Sequence, residues 1–248
     1  MNQLHDPTRQ ANYLRQCLAQ DKRLLGLFLG AGCPLAIRVK RNGKEQPLIP
    51  DIPGLTQAVS DQMSASKQHK KVFESVLSHL KADGRQNPNV EDVLSHVRAL
   101  RAVAGNDAVR GLTATDLDQI DQGICDTIVD VVSKSLPAND TPYNKVAAWV
   151  GAIQRTKSVE IFTTNYDLLL EEAMEESRVP YFDGFAGSRR AFFDPHAIEE
   201  DPLPARWARV WKLHGSINWR QDARGVVSRS ESATAGDRRV IHPFRVTE

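Results

Sequence analysis

Leu24-Leu25-Gly26-Leu27-Phe28-Leu29-Gly30-Ala31-Gly32 is the stretch that decides the fold. Its first six residues form a continuous apolar run, the pattern of a strand buried on both faces in a parallel sheet. Two glycines follow within three residues, and Pro34 stands where a helix can begin, because proline fits a first helical turn. Such a turn lets a backbone approach a pyrophosphate closely, and helix N–H groups just beyond it favour an anion. A tight strand-to-helix turn with no ligand reads the same way. The dinucleotide fingerprint wants a third glycine three residues after Gly32, and Leu35 stands there.

Working outward, the strand–polar turn–helix pattern recurs. Val159 to Thr163 is a second β-branched apolar run, followed by Thr164-Asn165-Tyr166-Asp167 and a helical stretch to Glu176. Val210 to Leu213 is a third short strand, ending at His214-Gly215-Ser216. Ligands of open parallel sheets bind beyond the carboxyl ends of the strands, so the three turns are expected to face one crevice. Asn165 and Asp167 suit helix N-caps as well as chemistry. His214 is either a satisfied histidine near the core or a general base, since imidazole titrates near neutrality. His5, His69, His79, His96, His196 and His242 lie in polar stretches, on helices or in loops and are read as structural or solvated.

The rest of the chain frames these units. Asn12 to Arg23 reads as a short helix. Residues 40–54 hold three prolines and two glycines and read as a loop. Helical periodicity runs from Leu55 to Val103, broken at Asn87-Pro88-Asn89, and returns over Thr115 to Lys134 and Asn144 to Gln154. Residues 180–205 read as an irregular loop, 221–239 as an exposed hairpin or mobile loop, and Val240 to Phe244 as a last strand. The expected fold is α/β: a Rossmann-like parallel sheet from Leu24–Leu29, Val159–Thr163 and Val210–Leu213. One domain spans 1–248, with core segments 20–40 and 145–248 and a helical insertion at about 55–140 that closes over the crevice.

Composition excludes several classes. Lys plus Arg is 32 against 31 Asp plus Glu, a net charge of +1, so direct nucleic-acid binding by the whole domain is not supported. The pairs Lys70-Lys71, Arg189-Arg190 and Arg238-Arg239 read as solvated faces. Cys17, Cys33 and Cys125 form no C-x-x-C pair. Neither a structural zinc nor a disulfide framework is expected, and a reducing, cytoplasmic location follows. Met1 to Gln20 lacks the apolar region of a signal peptide, and the longest apolar stretch, Leu24 to Ala36, is too short to span a bilayer.

Four blocks in order, Phe28-Leu29-Gly30-Ala31-Gly32, Pro50-Asp51-Ile52-Pro53-Gly54-Leu55, Phe162-Thr163-Thr164-Asn165-Tyr166-Asp167 and Lys212-Leu213-His214-Gly215-Ser216, resemble the sirtuin superfamily. They are most similar to its bacterial sirtuin-like branch of anti-phage defence systems. Asn87-Pro88-Asn89-Val90-Glu91-Asp92-Val93-Leu94 resembles that branch too. The resemblance runs from about residue 24 to 220. It implies that Gly30, Ala31 and Gly32 hold the phosphates of NAD, with Cys33, Thr164 and Gly215 in the binding set. Asn165 would orient a water or the nicotinamide ribose, Asp167 would hold the nicotinamide side or brace its loop, and His214 would act as general base. Pro34 departs from the serine common in the family.

The implied activity is that of a NAD glycohydrolase, releasing nicotinamide and ADP-ribose as a defence effector. Nicotinamide is a good leaving group, so the enzyme need only hold NAD in a reactive pose and place water and a base, without a metal. The implied partners are further copies of the chain, in a homo-oligomer, and a phage sensor such as a DNA-translocating ATPase or an Argonaute-type protein. Two other readings stand beside it. A NAD-dependent protein deacylase is disfavoured by the missing zinc-binding cysteines; a non-catalytic NAD or ADP-ribose sensor, or a structural subunit, is the other. The family continues into more strands past the histidine block, so the sheet within these residues is expected to be C-terminally incomplete.

Overall fold

The computed structural model describes residues 6–138, 140–200, 202–230 and 238–241. Helix α1 (Pro7–Leu18), capped by Asp6, lies five residues earlier than the periodicity suggested at its start and has no buried residue. Strand β1 (Leu25–Leu29) leads into α2 (Gly32–Leu35), a single turn that starts two residues before Pro34. A hairpin follows, β2 (Arg38–Arg41) and β3 (Lys44–Pro47), where a loop was expected. Its two-residue turn is Asn42-Gly43, both at positive φ (52° and 75°), the geometry that matches strand twist.

The helical segment comprises α3 (Ile52–Ala65), α4 (Lys70–Ala82), α5 (Val90–Val103) and α6 (Ala114–Val132). Asp51 caps α3, and capping boxes at Asn89 and Thr113 open α5 and α6. The apolar stripes anticipated from periodicity meet in one core: Val76, Val93, Leu94, Val97, Leu117, Ile120, Ile124 and Ile128 are at most 2% exposed.

Helix α7 (Pro142–Ala152) returns the chain to β4 (Val159–Thr163), which leads through the second turn to α8 (Leu169–Glu176). Residues 180–205, read as irregular, contain β5 (Tyr181–Phe182), β6 (Phe185–Ala186), β7 (Ala191–Phe193) and α9 (Pro195–Glu199). The chain then forms β8 (Ala208–Lys212), β9 (Trp219–Gln221), β10 (Val227–Arg229) and β11 (Arg238–Arg239). Of the strand expected over 240–244, residues 242–244 lie outside the described residues.

The central sheet is parallel in the order β1-β4-β8-β5, giving a Rossmann-like α/β architecture. It has one more strand than the three expected. A second sheet, β11-β9-β10-β7-β6, is antiparallel and closes over Phe185, Ala191, Trp219 and Val240. No helix among the described residues is long and apolar enough to cross a membrane.

One expectation fails at β1. This strand pairs with β4 on one edge only among the described residues and is not buried on both faces. Leu25, Leu27 and Leu29 pack on the core, while Phe28 and the preceding Leu24 are 66% and 68% exposed. Phe28 stands in register with Phe162 and Trp211, whose rings stack at 5.8 Å, so an apolar row crosses the outer face of the sheet.

Candidate functional site

The three strand-end turns are knitted to one another. Thr164 N–H donates to the Leu29 carbonyl (3.3 Å), and Leu213 N–H donates to the Thr163 carbonyl (2.8 Å), extending the parallel pairing past the strands. The Asn165 carboxamide nitrogen donates to the Gly30 carbonyl (3.1 Å) and lies 3.4 Å from the Tyr143 hydroxyl. Asn165 therefore bridges the first and second turns, and its Oδ1 is not used in either bond. From the third turn, Ile217 N–H and Ser216 Oγ donate to the Tyr166 carbonyl at 3.1 and 3.4 Å.

The first turn is open. A Cβ built on Gly30 or on Gly32 meets no atom within 4 Å, and Gly32 is exposed. Neither glycine needs a positive φ, so the open space beside each is the feature that admits a ligand's approach. The donors expected from a helix start are reduced, because Pro34 has no N–H and those of Cys33 and Leu35 are bonded within the turn. Cys33 N–H bonds back to the Gly30 carbonyl at 2.9 Å. The Cys33 thiol is pushed up by burial, with the Asp167 charge adding to it.

Asp167 turns inward. It is 5% exposed, and its Oδ1 accepts from Leu169 N–H (3.1 Å) at the start of α8. Burial raises its carboxyl to about 6, against the opposing pull of Lys212. Lys212, also buried, donates to the Asp167 carbonyl and to Glu171 Oε1 (2.8 Å). This buried pair ties β8 to α8 under the second turn. Of the two candidates in that turn, Asp167 accepts from the first N–H of α8, whose N-cap residue is Leu168, while Asn165 presents its side chain to the neighbouring turn.

Gly215 has a backbone reason to be glycine. Its φ is +75°, and a Cβ there would meet the Val240 carbonyl oxygen at 2.0 Å. That carbonyl accepts from Ser216 N–H at 2.8 Å, so the third turn is held against the residue that follows β11.

His214 stands half-buried beside Tyr166, ring centroids 6.2 Å apart. Its Nδ1 lies 3.3 Å from Glu91 Oε1, and the same oxygen accepts from the Tyr166 hydroxyl at 2.6 Å. Burial, and secondarily that hydrogen bond, push the Tyr166 phenol far up, so it remains a donor. Tyr143 is raised likewise by burial and by the charges of Asp167 and Cys33.

Sequence reasoning brought Gly30, Thr164, Asn165 and His214 to one end of the sheet, and the structure places them there. It missed Glu91, Tyr143 and Lys212. Lys212 carried a signal, a lone charge inside an apolar strand. Glu91 lay within the block Asn87 to Leu94 but had no partner visible in sequence. A cavity of about 1020 Å3 lies elsewhere, along β5 and α8, and Gly30, Asn165 and His214 do not line it. Hydrogen bonds between the strand ends, and no shared large cavity, join the three turns. Among the described residues no three His, Cys, Asp or Glu side chains are grouped as a metal site requires.

Residues 159–242 match the family model of the SIR2-like domain. That span holds β4, β8 and the turns with Asn165 and His214, and it supports the sirtuin-like superfamily and a use of NAD in general. No curated protein matches the chain.

Proposed function

We propose that this protein is a NAD glycohydrolase, cutting NAD to nicotinamide and ADP-ribose. The observation that carries the reading is the Asn165 bridge to Gly30 beside a turn that holds His214. A glycine turn open to the approach of phosphates, a carboxamide fixed between two strand ends and an imidazole backed by a carboxylate suit this chemistry. NAD supplies the leaving group. The open backbone at Gly30, Ala31 and Gly32, followed by Cys33, receives the phosphates. Asn165 Oδ1 orients a water or the ribose, and His214 takes a proton from that water or hydroxyl. Thr164, Asp167 and Gly215 keep the turns in place around it.

The same reading makes the protein an effector of anti-phage defence, cytoplasmic, oligomeric and paired with a phage sensor such as a DNA-translocating ATPase or an Argonaute-type protein. The exposed row of Leu24 and Phe28 on the outer strand supports an assembly that covers it. A deacylase is less well supported: the three cysteines are isolated, one exposed and one buried.

Product analysis tests the proposal. Nicotinamide and ADP-ribose formed in equal amounts without an acylated peptide support hydrolysis. Release that requires an acyl-lysine peptide points to a deacylase. NAD binding without release points to a sensor.

A further inference from the structure

We propose that Glu91 is a positioning residue for His214: its carboxylate holds the imidazole with Nδ1 protonated, leaving Nε2 as the basic nitrogen. The role of the histidine as base rests on the NAD-cleavage reading; the tautomer assignment does not.

Two acids stand in the first turn of helix α5, Glu91 and Asp92. Asp92 serves the helix, since its carboxylate accepts from Asn89 N–H at 3.0 Å while the Asn89 side chain accepts from Asp92 N–H. The capping box is thus complete without the Glu91 side chain. Glu91 instead leaves the helix and reaches the sheet, where one oxygen, Oε1, accepts from the Tyr166 hydroxyl and lies 3.3 Å from His214 Nδ1, at ion-pair distance but outside the angle of a hydrogen bond.

The consequence is chemical. A carboxylate is an acceptor only, so it selects the tautomer with hydrogen on the nitrogen that faces it. When Nε2 takes a proton, the ring becomes a cation and the same carboxylate stabilises it. The Tyr166 hydroxyl fixes the carboxylate from a second direction, and Tyr166 itself is 4% exposed.

The position of Glu91 matters as much as its charge. The three turns belong to the sheet, but Glu91 arrives on α5, from the helical segment between β3 and β4. The same segment touches the third turn again through α6: Asp126 accepts from Arg239 (3.0 Å), and Arg239 donates to the Ile217 carbonyl (3.3 Å). The start of α5 is in turn held by Val90 N–H on Thr56 Oγ1 (3.1 Å). The packing of the helices therefore sets whether His214 has its partner.

The test uses the whole protein with 15N-labelled histidine. Long-range proton–nitrogen spectra report the tautomer of His214, identified by the signals lost in His214→Ala. The expected result is protonated Nδ1 in the parent and loss of that preference in Glu91→Ala. Protonated Nε2 in the parent, or an unchanged spectrum in the variant, overturns the proposal. Because Glu91→Ala strands the Tyr166 hydroxyl, Glu91→Ala/Tyr166→Phe is measured beside it and is expected to show the same loss in a folded protein.

Kinetics give the second readout. Both variants are expected to lower kcat for NAD cleavage by on the order of 100-fold with KM nearly unchanged. Glu91→Asp is expected to recover part of it, and Glu91→Ala is expected to add nothing in a His214→Ala background. A loss confined to KM, or full additivity with His214→Ala, overturns the positioning role. A parent protein that cleaves no NAD refutes the NAD reading instead, and the spectra still decide the role of Glu91.

Discussion

Replacing Asp167 with Asn tests how the second turn is built. The Asp167 carboxyl is 5% exposed, and burial raises it from 3.8 to about 6 against the pull of Lys212 and the Leu169 N–H. A carboxyl whose folded value lies above its unfolded one holds its proton more tightly in the fold. Its contribution to stability is therefore present below the unfolded value and lost as the pH rises through about 6. The interval corresponds to about 3 kcal/mol. Asn has the same shape, cannot ionise, and keeps an oxygen for the Leu169 N–H, while Lys212 keeps its pair with Glu171. The stability difference between Asp167→Asn and the parent should swing by about 3 kcal/mol in favour of the variant between about pH 3.5 and about pH 7. Urea unfolding followed by tryptophan fluorescence across that range reads it. Parallel pH profiles for the two proteins would refute the reasoning, because they would mean that Asp167 ionises no less easily in the fold than in the unfolded chain.

Three further outcomes follow from other contacts. Gly215→Ala combines a left-handed backbone with a clash against the Val240 carbonyl, and should cost on the order of 2–4 kcal/mol in the same unfolding assay; a loss below about 0.5 kcal/mol would contradict the close approach. Lys212→Met leaves Glu171 and the Asp167 carbonyl buried without their cation and should cost about 3–5 kcal/mol; an unchanged midpoint would show that the pair is not desolvated. Cys125 is 1% exposed with its thiol pushed up to about 12, so iodoacetamide should label exposed Cys17 in the native protein and Cys125 only after unfolding; rapid native labelling of Cys125, read by mass spectrometry, would contradict its burial.

Much of this architecture was legible because local pattern and tertiary role coincide. Val159–Thr163 was readable to the residue, since β-branched side chains ran up to a polar turn. The stripes of α4, α5 and α6 were readable because their buried residues recur at helical spacing. The Asn42-Gly43 turn was missed although its sequence signals a hairpin, because the prolines nearby argued for a loop. The exposure of Phe28 was illegible, since an apolar run carries no record of whether a second strand flanks it. In the site, Gly30, Asn165 and His214 announced themselves as polar or glycine turns after strands. Glu91 did not, because its partner Tyr166 lies 75 residues away and only the fold brings the two together. Asp167 and Gly215 were singled out for binding, and the structure adds a hydrogen bond to the first N–H of α8 for the first and a backbone clash for the second.

The central claim is that the Asn165–His214 pair of turns cleaves NAD, and nicotinamide release by the parent, Asn165→Ala and His214→Ala proteins tests it most directly. The account predicts release by the parent and a fall of on the order of 100-fold or more in each variant, with folded spectra retained. Equal release by all three proteins would contradict it.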